Sequence, residues 1–181
     1  MIVVRKTKNI ILLWVFKLIN RLFHAIERLK WKSYYMSLAN DFRDLGDNVV
    51  VDYGVSFGNP KNISIGNDVF IGADVRINAG KGGAINLGDG SAIGAGSTLI
   101  TWNLDLMNNR ALTRSLNKNI FKDVVIGKGV GLGYSCTVNP GVTLGDGCEV
   151  AAGSVLARDV KEFEMVSGTP AIVISKRSSS I

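Results

Sequence analysis

The sequence predicts an all-β body built as a parallel β-helix, preceded by a basic amphipathic α-helix and interrupted by one protruding loop. Three observations carry this. Aliphatic residues recur at a spacing of six from Ile65 onward, through nine intervals of six residues. The position after each aliphatic is usually glycine or alanine, and four positions after it stands a small or β-branched residue. The excess positive charge, finally, is confined to the first 40 residues.

The leader comes first along the chain. Residues 1–40 hold eight basic side chains (Arg5, Lys6, Lys8, Lys17, Arg21, Arg28, Lys30, Lys32) against Glu27 alone, a net charge of +7. The remaining 141 residues total −1, so the overall +6 belongs to the leader. A near-neutral body argues against a nucleic-acid partner, and the asymmetry favours a membrane surface. From Ile10 to Lys32 there is no glycine or proline. At about 100° per residue, Leu12, Val15, Ile19, Leu22, Phe23 and Ile26 share one broad face, and Lys17, Asn20, Arg21, His24 and Arg28 the opposite one. The apolar run from Ile10 to Phe16 ends at Lys17. It is far short of the roughly 20 residues of a membrane span, and too short for a cleavable signal segment. Two readings stay open for residues 10–32. One is a helix lying on an anionic leaflet, with Trp14, Trp31, Tyr34 and Tyr35 as interface aromatics. The other is a helix whose apolar face packs on the body or on a sister subunit. The charge bias favours the first, which gives a cytoplasmic protein peripheral on the inner membrane. His24 is a solvated residue on the polar face.

The body follows. Val51 and Phe57 open its series, with two extra residues at a corner before Ile65. The aliphatics then fall at Ile65, Ile71 and Ile77, at Leu87, Ile93 and Leu99, and after a break at Ile126, Leu132, Val138, Leu144, Val150 and Leu156. Each hexapeptide supplies one short strand and one turn, and three make a triangular coil whose aliphatic side chains stack inward on those above and below. Glycine or alanine relieves the crowding at the turn. A 3.6-residue helix cannot hold a six-residue period on one face. The limits are 1–48 for the leader, 49–166 for the β-helix with an inserted loop at 100–123, and 167–181 for the tail. Cys136 and Cys148 occupy the small inward position and read as buried reduced thiols, which suits the cytoplasm. With His24 the one histidine in the chain, no metal site is expected.

The segments Ile65-Gly-Asn-Asp-Val-Phe-Ile-Gly, Ile77-Asn-Ala-Gly, Val138-Asn-Pro-Gly-Val-Thr-Leu-Gly-Asp-Gly and Ala152-Gly-Ser-Val-Leu-Ala-Arg-Asp-Val, with the closing Val166-Ser-Gly-Thr-Pro-Ala-Ile-Val-Ile, resemble the hexapeptide-repeat acyltransferases. Within them the chain is most similar to the sugar O-acetyltransferases that decorate surface polysaccharides, from about Val49 to Lys176. The resemblance implies a left-handed coil, a homotrimer with active sites between subunits, and acetyl-CoA as co-substrate. The acceptor it implies is a sugar hydroxyl of a bacterial surface glycan or its lipid-linked precursor.

In that family the loop carries a catalytic histidine, in a stretch resembling Ile-Thr-Ser-His-Asn-His. This chain reads Leu99-Ile-Thr-Trp-Asn-Leu-Asp-Leu, and the histidine would fall at Asn103 or Leu104. Neither side chain can take the hydroxyl proton. Asp105 is the candidate base and Asn103 the candidate hydroxyl orienter. The coenzyme groove implied by the resemblance involves Tyr134, where the family has a small residue, together with Ala152, Arg158 and Lys176. Ala157-Arg158 stands for the family's Thr-Lys pair, Ile172 for the basic residue after Pro-Ala, and Gly131 for a common tryptophan. Arg158, Lys176 and Arg177 are available to the coenzyme phosphates. Asn108, Asn109, Arg110, Arg114, Asn117, Lys118 and Asn119 make the loop polar and basic, suited to closing over a sugar. The alternative is a catalytically inactive trimeric scaffold in a glycan-assembly complex, retaining the coils without the chemistry. A hexapeptide-repeat carbonic anhydrase needs three histidines and is excluded.

Overall fold

A computed structural model describes the backbone of residues 10–104 and 119–177 and their side chains from Trp14 onward. The chain divides into two compact units, Met1–Ser37 and Leu38–Ile181. Among the described residues the first consists of helix α1, Ile10–Leu38, short of its last residue. It runs six residues past Lys32 because Ser33–Leu38 contains nothing that stops a helix. A 3₁₀ turn, Ala39–Asp41, then hands the chain to an extended Phe42. Trp31, Tyr34 and Tyr35 cluster on its last turns, with Trp31 and Tyr35 stacked at a centroid distance of 6.0 Å.

The second unit is the expected parallel β-helix. Three sheets form its three faces, and successive coils contribute one short strand to each. The inward residues lie in register as three columns. Leu45, Ile65, Leu87, Ile126 and Leu144 stack on the first face. Val51, Ile71, Ile93, Leu132, Val150 and Val166 stack on the second. Phe57, Ile77, Leu99, Val138 and Leu156 stack on the third. Ile71, Ile77, Ile93, Leu99, Val138 and Leu144 have no exposed surface at all. Burying each such side chain stabilises the fold by about 1.5–3 kcal/mol, and this stacked column is the physical content of the six-residue period.

The stack starts ahead of Val49. Asp44–Leu45 is its first strand and pairs with Ser64 and Ile65. Leu45 stands six residues before Val51, and Gly46-Asp47-Asn48 repeats the turn sequences Gly66-Asn67-Asp68 and Gly88-Asp89-Gly90. At this corner Asn48, Asp68, Gly90, Gly129 and Gly147 all have φ between 56° and 66°, a left-handed conformation that asparagine, aspartate and glycine tolerate best. The same corner carries a ladder of side-chain acceptors. Asn67 Oδ1 accepts the Asp47 N–H at 2.8 Å, Asp89 Oδ1 the Asn67 N–H at 2.9 Å, and Asp146 Oδ1 the Lys128 N–H at 2.7 Å. Lys128 takes the ladder position in the fourth coil, and its Nζ lies 3.0 Å from Asp89. The Asn67 amide and the Lys128 ammonium together hold the Asp89 carboxyl below its ordinary value.

The tail is an ordered antiparallel ribbon. Glu164–Gly168 continues the second face, and Ala171–Lys176 folds back on it through a cis Thr169–Pro170 bond. Arg177 fastens its end by pairing with Glu149.

Candidate active site

The loop leaves the coils at the corner between the third and first faces. After Thr98–Ile100 the chain forms an antiparallel ribbon, Trp102–Leu104 against Asn119–Phe121, with Trp102 opposite Phe121 and Asn103 opposite Ile120. Residues 105–118 lie outside the described residues, and with them Asp105, Asn108, Asn109, Arg110, Arg114, Asn117 and Lys118.

The ribbon sits on a seat made by the preceding coil. Ten residues separate Ile77 from Leu87 where the repeat needs six, and the extra length, Gly80-Lys81-Gly82-Gly83, bulges at the same corner. The Phe121 ring lies on Gly80, where an added Cβ would stand 2.6 Å from it, and on Gly82, where the distance would be 3.1 Å. Thr101 presses on Gly83 in the same way at 2.7 Å. Only glycine leaves room for the ribbon here.

Thr101 is the pin of this arrangement. It is fully buried, its Oγ1 accepts the Gly80 N–H at 2.6 Å, and its carbonyl accepts the Lys122 N–H at 2.8 Å. Asn62 Nδ2 holds the Gly80 carbonyl from below at 2.9 Å, and Asp123 Oδ1 receives the Ala84 N–H at 2.8 Å as the chain re-enters the stack. Sequence reasoning did not single out Thr101, Phe121 or the glycine bulge. The ten-residue interval was the signal that marks them.

Asn103 is exposed in the middle of the ribbon, and its Oδ1 accepts the Leu104 N–H at 2.8 Å. Its side chain is therefore steadied by its own backbone, two residues from the Thr101 pin. Tyr134 lies at the corner between the second and third faces, 68% exposed, and Ala152 occupies the equivalent place one coil on. The Tyr134 carbonyl accepts the Gly153 N–H at 2.8 Å, and Gly133 approaches the Ala152 backbone so closely that a Cβ would meet its nitrogen at 2.6 Å. Arg158 is exposed at the corner that bears the ribbon, in the fifth coil, beside Asp159, whose Oδ1 accepts the Thr143 N–H at 2.8 Å. Lys176 is exposed at the end of the tail ribbon opposite Glu164. One chain thus brings Tyr134 and Ala152 together and sets Arg158 and Lys176 on other edges of the prism.

The two thiols are buried and held protonated at neutral pH. Cys136 and Cys148 are buried and unbridged. Burial first, and the nearby Glu164 carboxylate second, push the Cys148 thiol up to about 11. Burial likewise raises Cys136, whose Sγ donates to the Ala151 carbonyl at 3.2 Å. A thiol held protonated is a poor nucleophile, so an acyl-cysteine intermediate has no suitable residue here. The sole histidine is on the helix, so the β-helix unit contains no imidazole.

Comparison with known proteins agrees with this architecture. Residues 123–158 match the bacterial transferase hexapeptide model (six repeats), and residues 62–100 the model for the hexapeptide repeat of succinyl-transferase. The chain is 30% identical over 163 residues to the dTDP-4-amino-4,6-dideoxy-D-glucose acyltransferase of Escherichia coli, covering 77% of this chain and 85% of that one. It is 28% identical over 137 residues to the galactoside O-acetyltransferase of Escherichia coli K12, covering 74% of this chain and 63% of that one. Among solved structures it superposes on a hexapeptide-repeat acetyltransferase of Vibrio cholerae O1 biovar eltor, in complex with acetyl coenzyme A. The TM-score is 0.73 at 30% identity, over 87% of this chain and 84% of that one. Shorter matches to a probable macrolide acetyltransferase of Lysinibacillus sphaericus and a chloramphenicol acetyltransferase of Agrobacterium fabrum span 38% and 26% of those proteins. With its coils, corner glycines and tail in this arrangement, and its near full-length likeness to an acyltransferase, the chain belongs to the hexapeptide-repeat acyltransferase family.

Proposed function

We propose that the protein transfers the acetyl group of acetyl-CoA to a sugar hydroxyl, on a bacterial surface glycan or its lipid-linked precursor. It would work as a homotrimer on the cytoplasmic side of the membrane. The observation that carries this reading is the 163-residue match to a sugar acyltransferase. The acetyl coenzyme A complex of the Vibrio cholerae neighbour supports the donor. The residues present suit that donor. Ala152 and Gly153 leave the corner beside Tyr134 open, and Arg158 and Lys176 are exposed cations for phosphates.

In the reaction the acceptor oxygen attacks the thioester carbonyl, a C–O bond forms, the C–S bond breaks, and CoA leaves as the thiol. The hydroxyl proton must pass to a base and on to the departing sulfur. Asp105 is the residue we assign to that relay, and Asn103, steadied on the ribbon, orients the hydroxyl. Asp105→Ala is expected to lower turnover by about 10²–10⁴-fold, with acetyl-CoA affinity unchanged. Unchanged turnover would remove Asp105 from the mechanism.

A second reading, an inactive trimeric scaffold, is favoured by one feature: Asn103 and Leu104 stand where the family's base is expected. It requires that a panel of hydroxyl and amino sugars releases no CoA thiol from acetyl-CoA. Release of thiol with any of them would contradict it.

A further inference from the structure

We propose that helix α1 is a docking surface for a bilayer rich in anionic phospholipid, on which it lies flat. Its exposed apolar side chains are large and continuous. Val15, Leu18, Ile19, Leu22, Ile26 and Leu29 fall on one arc at helical spacing, and Trp14 and Leu29 are 69% and 67% exposed. An apolar patch of this extent marks an interaction site rather than ordinary surface. None of the described helices is long and apolar enough to cross a membrane, which leaves the orientation parallel to its plane.

Charge selects the occupant. Lys17, Arg21, Arg28 and Lys32 fall within about 60° of one another on the arc adjoining the apolar one. Glu27, the helix's one acid, is taken up by Lys30, whose Nζ lies 2.9 Å from its carboxylate. The basic row is therefore left for an external anion. A second copy of the helix packed antiparallel would set one such row against another, whereas a leaflet of anionic lipid supplies the opposite charge along its whole length. Where the row meets the apolar arc, Trp14, Val15, Lys17, Leu18 and Arg21 line a cleft of about 340 Å³. It offers two cations and an apolar floor side by side, the chemistry of a lipid phosphate above its acyl chain. This inference stands apart from the acetyl-transfer chemistry, and supplies the surface at which a lipid-linked acceptor would be met.

Flotation of the full-length protein with phosphatidylcholine vesicles, and with vesicles containing phosphatidylglycerol, tests it. The protein is expected to float with the anionic vesicles only, and to be released as salt is raised. Lys17→Glu/Arg21→Glu/Arg28→Glu/Lys32→Glu is expected to weaken binding by about 100-fold or more. Trp14→Ser/Leu18→Ser/Leu22→Ser is expected to weaken it while the sedimentation coefficient in solution stays unchanged. Failure to float with anionic vesicles, equal flotation with both kinds, or a charge-reversed variant that floats like the wild type would each overturn the proposal. So would dissociation of the oligomer by the serine variant, which would assign the face to a sister subunit. Acetyl-CoA turnover on a soluble acceptor, followed in the same preparations, separates this outcome from a failure of the catalytic reading.

Discussion

Thr101 has the best-defined role of the residues around the ribbon. Its hydroxyl accepts a buried backbone N–H, so Thr101→Val, which keeps the shape and removes the acceptor, strands the Gly80 amide. That change is expected to cost about 1–3 kcal/mol in chemical denaturation, with Thr101→Ser restoring most of it. Nothing in the bare sequence separates this threonine from a loop threonine. Its importance comes from a contact with a residue 21 positions earlier. The cysteines were legible, because their place in the repeat already put them inside. Their titration adds a consequence. Well below pH 9.0 the thiol is protonated in both folded and unfolded chains, so Cys148 does not alter stability there. As pH rises from 9.0 toward about 11 the unfolded thiol ionises while the folded one stays protonated, so stability falls across that window. Cys148→Ala is expected to flatten the slope in pH-dependent denaturation.

At the scale of elements, the inward columns were readable from spacing alone, because each position buries one aliphatic against its equivalents. Leu99 lies in the middle of the third-face column with no exposed surface, and Leu99→Ala is expected to lower stability by about 2–5 kcal/mol. The ribbon and its seat were less legible. A hexapeptide break announces that the chain leaves the stack, but not that Gly80 and Gly82 in the coil before it must stay bare to receive Phe121. Gly80→Ala puts a methyl 2.6 Å from that ring and must shift the ribbon. Turnover is expected to fall by as much as about 100-fold from misplacement of Asn103, while acetyl-CoA affinity holds. A parallel loss of affinity in calorimetry would mean instead that the whole stack is disturbed. The first strand and the tail ribbon escaped the reading for simpler reasons. Leu45 is half exposed at the open end of the stack, and Ala171–Lys176 runs antiparallel, outside any six-residue pattern.

For the whole molecule, the three outer faces differ in a way the period does not reveal. The outward row of the third face reads Ser56, Arg76, Thr98, Thr137 and Val155, whereas that of the second opens on Val50, Phe70, Ala92 and Gly131 before Glu149 and Met165. The strand Ala171–Lys176 extends the same sheet with Ile172, Val173 and Ile174 exposed at its edge. The apolar stretch of Val50, Phe70 and Ala92, with an open strand edge on the same sheet, is a surface for self-association. Sedimentation is expected to give a trimer, and Val50→Glu/Phe70→Glu to reduce it to monomers. A monomeric wild type would remove the shared groove from the proposed site. It is to such a groove that Arg158 and Lys176, scattered on one chain, would have to contribute. The central claim, that this fold still uses acetyl-CoA, is tested most directly by calorimetric titration of the intact protein with acetyl-CoA, which needs no knowledge of the acceptor. The account predicts one site per chain with micromolar affinity. No heat of binding at millimolar acetyl-CoA would contradict it.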